Sequence, residues 1–189
     1  IVRAVVEAAR GGLDYFERPF VGATFESVDA TMAEALGMAR PQGALVKSVV
    51  PDGPAEKAGL RPGDVVLAMN GAAIEHPDAL GYRLATSPIG STAQLSVLSQ
   101  GRERGVEVEL IRAPEGASTA EIIIDGRSPF AGAKVAELSP RLAQRLGMRG
   151  EARGVAIVEI LGNSPAAGFG LRPRDIVREV NGEAIDTAE

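Results

Sequence analysis

From Ala44 to Val50 apolar side chains, valine above all, run almost without interruption and predict a buried strand. Gly53-Pro54 then predicts a short helix. Proline at the first helical position forfeits no needed N–H, and Gly59 closes the helix by taking a left-handed conformation at little steric cost. After Pro62-Gly63 a second apolar run, Val65 to Met69, reads as a strand, and Asn70-Gly71 is a tight-turn signal into a brief strand at Ala72 to Ile74. The spacing of apolar positions then lengthens: Pro77 to Thr86 reads as a helix with Leu80 and Leu84 on one face. Two more strands follow at Ala93 to Leu98 and Val106 to Ile111, joined by the polar segment Gln100 to Gly105, which reads as a turn. At the start of the chain Val2, Val5, Val6 and Ala9 form an apolar stripe before Gly11-Gly12, so Ile1 to Arg10 reads as an amphipathic helix.

This order of elements begins a second time. Leu60-Arg61-Pro62-Gly63-Asp64 returns as Leu171-Arg172-Pro173-Arg174-Asp175, and Asn70-Gly71-Ala72-Ala73-Ile74 returns as Asn181-Gly182-Glu183-Ala184-Ile185, at an offset of 111. Upstream, Phe20-Val21-Gly22-Ala23 matches Phe130-Ala131-Gly132-Ala133, and Leu36-Gly37-Met38 matches Leu146-Gly147-Met148, at an offset of 110. One residue inserted between Met148 and Gly154 reconciles the two offsets. A period this long is a domain duplication rather than a solenoid. Ala113 to Ala120, with its Pro, Gly, Ser and Thr, is the natural linker, and Glu121 to Ile124 reads as a strand leading into the second copy. The expected organisation is therefore residues 1–17 as N-terminal helix and linker, 18–113 as the first domain, 114–125 as linker and leading strand, and 126–189 as the second domain. After Ile185 only Asp186 to Glu189 remain, so the helix and last strands of the first copy have no counterpart in the second.

Composition narrows the chemistry. In 189 residues there are 23 Gly, 12 Pro, no Trp and no Cys, so the expectation is short elements, many turns, and neither a disulfide framework nor a thiol site. A net charge of -5, without clustered Lys and Arg, argues against a nucleic-acid surface. No apolar stretch approaches the roughly 20 residues of a membrane helix. His76 is the single histidine and sits beside Pro77, a surface position rather than a base or ligand. Ser164 follows Gly162-Asn163 and superficially suggests a nucleophile, but it precedes Pro165 at a helix start, where serine caps. The carboxylates show no calcium-loop spacing. No metal, no cofactor and no catalytic constellation are expected in this chain.

Three features together carry a resemblance: an apolar-Gly-apolar loop before a strand, the block Pro54 to Asp64 with Ala58-Gly59-Leu60 and Gly63-Asp64, and the Asn70-Gly71 turn. They resemble the PDZ domain, in the circularly permuted form attached to HtrA/Deg-type, trypsin-like serine proteases of bacteria. The resemblance implies a mixed α+β chain of two PDZ-like domains, each a small, partly open β-barrel or sandwich with short helices, preceded by an N-terminal helix that looks like the end of a protease domain.

The chemistry of such a loop follows from its backbone. Beside Phe20-Val21-Gly22-Ala23 successive N–H groups can turn inward as a nest for a carboxylate, and Gly22 lets a ligand approach closely. If Ala23 to Val28 is an edge strand, an extended peptide adds to it through main-chain hydrogen bonds and sends alternate side chains into pockets. The expected peptide-binding residues are Phe20, Val21, Gly22, Ala23, Thr24 and Phe25, with Pro77, Gly81 and Leu84 as the helical wall that the resemblance implies. These groups favour apolar ligand ends, and Gly81 leaves volume for a large one. Phe130, Ala131, Gly132 and Ala133 are a second possible carboxylate loop.

Two functions follow. One is the peptide-binding tandem PDZ region of a periplasmic HtrA-like protease, which recognises apolar C termini or extended segments of misfolded proteins and regulates protease activity or assembly, possible homo-oligomer contacts included. The other is a non-catalytic scaffold or secretion-system component that holds one protein partner. A protease domain upstream of Ile1 decides between them.

Overall fold

The computed structural model describes residues 17–148 and 152–188; the expected helix Ile1 to Arg10 lies outside them. The chain divides into two compact units, Ile1–Arg112 and Ala113–Glu189.

The first unit is a six-stranded antiparallel sheet of β1 (Ala23–Ser27), β2 (Ala44–Val49), β3 (Val65–Met69), β4 (Ala72–Ala73), β5 (Thr92–Ser99) and β6 (Arg102–Glu109). The order is β1-β2-β3-β5-β6, with β4 paired to β3, so β1 ends the sheet among the described residues. Among the described residues three helices complete the unit: α1 (Ala30–Ala35), α2 (Pro54–Lys57) and α3 (Pro77–Thr86). The apolar runs seen in the sequence meet in one core, where Val46, Val66, Met69, Ile74, Leu80, Val97, Val108 and Leu110 are buried. Leu80 and Leu84, one turn apart on α3, anchor the helix to that core.

The structure corrects the sequence reading at two places. Arg102 to Gly105 belongs to β6, because Gln100 (φ 50°) and Gly101 (φ 75°) alone make the turn and β5 pairs with β6 over eight residues. The polar composition there marks the solvent face of an antiparallel pair, not a loop. The second place is α1, which the sequence reading passed over; Asp29 caps it by accepting from the N–H of Met32 at 2.8 Å.

The second unit holds β7 (Glu121–Ile123), β8 (Ala133–Glu137), β9 (Val155–Ile160) and β10 (Ile176–Val177) in the order β10-β9-β8-β7, and a separate pair β11 (Glu179–Val180) and β12 (Glu183–Ala184). Its helices are α4 (Pro140–Arg145) and α5 (Pro165–Phe169). Each follows the Ser-Pro pattern: Ser139 and Ser164 cap by accepting from the N–H groups of Leu142 and Ala167. Asn181 (φ 53°) and Gly182 (φ 86°) repeat the left-handed turn of Asn70 (φ 51°) and Gly71 (φ 77°). Ala133, Val135, Val155, Ile157 and Ala166 form its inner core, on which Ile122 and Ile124 pack. The chain is thus a mixed helix–sheet protein with antiparallel sheets and few helices.

Candidate functional site

The loop before β1 is pinned on its inner side. Phe20 and Ile111 exchange two backbone hydrogen bonds, the N–H of Ala55 donates to the carbonyl oxygen of Val21 at 2.8 Å, and the N–H of Val50 donates to that of Gly22 at 2.7 Å. The carbonyl groups therefore face the protein. Among the described residues no group accepts from the N–H of Val21 or of Gly22. Because Gly22 bonds across to Val50, the next pair, Ala23 and Val49, is a non-hydrogen-bonded one, whose N–H and C=O turn away from β2. The N–H groups of Val21 and Gly22, which have no acceptor among the described residues, thus precede an N–H and a C=O of Ala23 that turn away from β2.

Gly22 is required by geometry. It sits at φ +70°, and a Cβ there would lie 3.3 Å from both Phe20 Cε1 and Pro54 Cδ. Gly53, which the sequence reading did not single out, is the other half of this contact: a Cβ on it would meet the Val50 carbonyl oxygen at 2.8 Å. The signal was there in Gly53-Pro54, read only as a helix start. Beyond the loop, the Thr24 and Ser48 hydroxyls bond at 2.7 Å across β1 and β2. Phe25 packs half-buried on the core, together with Val21 and Ala23.

The α3 helix lies against β1. Of the three wall residues, Leu84 belongs to the core, Pro77 is half-buried and Gly81 is exposed. A Cβ at Gly81 would meet no atom within 4 Å, so the space beside it is open. His76 precedes the helix, exposed, with Nδ1 4.0 Å from an oxygen of Asp78. Among the described residues no group of three or more His, Asp or Glu side chains is placed to hold a metal ion, and no helix is long and apolar enough to cross a membrane.

The loop of Phe130, Ala131, Gly132 and Ala133 has the same inner bonds: Ala166 N–H to Ala131 carbonyl at 3.0 Å and Leu161 N–H to Gly132 carbonyl at 2.8 Å. Its outer side differs. The N–H of Ala131 donates to Ser128, that of Gly132 to Ile124 at 2.8 Å, and that of Ala133 to Phe130. Strand β7 lies along the edge of β8, with Ile122 opposite Val135 and Ile123 opposite Lys134. Its first residue, Glu121, is 2.7 Å from Lys134 and 2.9 Å from Arg145. The hydrogen bond from Lys134, with a smaller one from Arg145, holds the Glu121 carboxyl below its usual range, and the same contact raises Lys134.

A loop of unaccepted N–H groups beside a strand edge that is free among the described residues, with a helix against that strand, defines a class, and residues 19–110 match the PDZ domain family. Residues 19–110 are thus a PDZ domain, and the chain as a whole is similar to HtrA-type proteases. It is 34% identical over 178 residues to a probable periplasmic serine endoprotease DegP-like of Pseudomonas putida (strain W619), covering 91% of this chain and 36% of that protein. It is 32% identical over 174 residues to the protein of the same description in Chlamydia muridarum (strain MoPn / Nigg), covering 91% of this chain and 33% of that protein. Among solved structures it resembles the HtrA-type protease AlgW with decapeptide, at 25% identity and a TM-score of 0.52, covering 60% of this chain and 35% of that one. The chain spans about a third of the length of these relatives.

Proposed function

We propose that this chain is the tandem PDZ region, residues 18–113 and 126–189, of a periplasmic HtrA-type serine protease, and that its first domain captures extended peptides with apolar C-terminal ends. The observation that carries the reading is the pair of unaccepted N–H groups on Val21 and Gly22 beside the open edge of β1. A terminal carboxylate accepts from them and from Ala23, while the N–H of the same ligand residue donates to the outward carbonyl of Ala23. The ligand then runs antiparallel along Thr24 and Phe25, and its last side chain enters the space between β1 and α3, lined by Pro77, Gly81 and Leu84. Backbone bonds supply affinity, and the apolar wall selects the terminal side chain.

The family supports the rest. The relatives are serine endoproteases and the AlgW structure holds a decapeptide, which favours a domain that presents or senses peptide for a protease over an independent scaffold. In this reading peptide capture delivers misfolded proteins and regulates protease activity or assembly, homo-oligomer contacts included; the chain itself performs no hydrolysis. Fluorescence titration with peptides ending in Phe, Leu or Val, each against its C-terminally amidated form, tests the reading. Micromolar binding that weakens at least tenfold on amidation supports it, and binding of neither form refutes it.

A further inference from the structure

The two loops share the two inner bonds that their second and third carbonyl groups accept, from Ala55 and Val50 in the first and from Ala166 and Leu161 in the second, and differ in what their N–H groups do. In the first, those of Val21 and Gly22 have no acceptor among the described residues; in the second they are taken, and the acceptor for Gly132 is the carbonyl oxygen of Ile124. Ile124 in turn donates its N–H to the carbonyl oxygen of Ala133 at 2.9 Å. Those are the two groups that the corresponding positions of the first loop, Gly22 and Ala23, offer to a ligand's last residue. Upstream of Ile124, β7 runs antiparallel along β8, the edge equivalent to the one β1 leaves open. Side chains alternate as in an added strand: Ile122 and Ile124 pack on the core formed with Val135 and Ile157, whereas Ile123 points out and is 45% exposed.

We infer that Glu121–Ile124 is a built-in ligand of the second unit, seated with Ile124 as its terminal-residue equivalent and Ile122 in the next inward position, so that this edge is closed to free peptides while β7 is in place. The inference goes beyond the proposed function and rests only on the equivalence of the two loops. Glu121 is the latch: its carboxylate ties β7 to Lys134 on β8 and to Arg145 on α4. The occupant also states what the edge accepts. It is an extended segment with β-branched apolar residues at alternate positions, held by a carbonyl oxygen rather than a carboxylate, because Ala131 and Ala133 donate within the loop and leave Gly132 as the one outward donor.

Amide-resolved NMR of the whole chain tests this. In the native chain the N–H groups of Ile124 and Gly132 exchange with solvent far more slowly than those of Val21 and Gly22; Glu121→Gln, which removes the latch without touching the backbone, speeds the Ile124 and Gly132 exchange by about fivefold or more. A peptide of the chain's own sequence Ala-Glu-Ile-Ile-Ile leaves the Gly132 and Ala133 signals unmoved in the native chain. It shifts them in a chain with residues 121–124 replaced by Gly-Ser-Gly-Ser. Fast exchange at Ile124 and Gly132 in the native chain, peptide-induced shifts there in the native chain, or no shift in the folded replacement chain each overturns the inference. If the replacement chain does not fold, the exchange rates with and without Glu121→Gln decide. The deciding readouts are Ile124, Gly132 and Ala133 in the second unit, with Val21 and Gly22 only as the reference for exchange, so a failure of peptide binding at Val21 and Gly22 is a separate result that bears on the first groove alone.

Discussion

Arg104 reaches from β6 to place Nη2 2.9 Å from an oxygen of Asp64 and 2.8 Å from the carbonyl oxygen of Gly59. Asp64 is 4% exposed, and the same oxygen accepts from the N–H of Arg61. One side chain thus ties the end of the α2 segment, the turn before β3 and the far strand of the sheet. Asp175, the repeat's counterpart, accepts from the N–H of Arg172 at 2.8 Å but is exposed.

Arg104→Ala leaves Asp64 buried with one backbone donor, and the expected cost in the first unit is about 1–3 kcal/mol, moderated by the partial exposure of the arginine. Asp175→Asn costs under about 0.5 kcal/mol. Chemical denaturation of each variant, followed by a probe in its own unit, checks the contrast.

Gly81→Phe separates binding from folding. The position is exposed on α3, with no atom within 4 Å of an added Cβ, and glycine inside a helix is itself unfavourable by about 0.5–1 kcal/mol. The variant should melt at or slightly above the native temperature yet bind the apolar-ended peptide at least tenfold more weakly. Unchanged affinity would place the terminal side chain elsewhere.

At Gly132 a Cβ would overlap that of Ser164, at 2.2 Å, and φ is +85°. Gly132→Ala should therefore destabilise the second unit by at least about 2 kcal/mol, whereas Gly22→Ala, with nearest atoms at 3.3 Å, costs about the left-handed penalty of 1–2 kcal/mol and a small adjustment of Phe20 and Pro54. Adding Ser164→Gly should recover part of the Gly132→Ala loss; a double-mutant cycle measures the coupling, and strict additivity would contradict the contact.

The Glu121 latch is sensitive to pH in a defined direction. Its carboxyl titrates below the ordinary 4.5 because of the hydrogen bond from Lys134, so its contribution is complete above 4.5 and is lost as the pH falls through the lower folded-state value. Lys134 titrates above the ordinary 10.5, so the same contact is intact up to that pH and is lost as the pH rises through the higher folded value. Asp186, held below 3.8 by Arg153, adds to the acid side. Melting of the second unit followed across this range should show a plateau that Glu121→Gln flattens at the acid end.

Much of this was legible from sequence because local chemistry and tertiary packing agree. Val65–Met69 and Pro77–Thr86 carry their own period and punctuation, and both form with the bounds the pattern predicted. Arg102–Gly105 misled because solvent-facing strand residues look like loop residues when the partner strand is unknown. The occupant of the second loop was hidden for a different reason. Glu121–Ile124 reads as a strand, yet its neighbour depends on long-range pairing, and a shift of one residue would exchange Ile123 for Ile122 and Ile124 on the core face.

The central claim is carboxylate capture at Val21 and Gly22, and the most direct measurement is amide NMR of the chain during titration with a Leu-ended peptide and with its amidated form. The free-acid peptide should shift the Val21, Gly22 and Ala23 N–H signals strongly downfield with saturation in the micromolar range, about -8 kcal/mol, and the amidated form should do so at least tenfold more weakly. Equal binding of both forms, or shifts that leave those three amides untouched, would contradict the account.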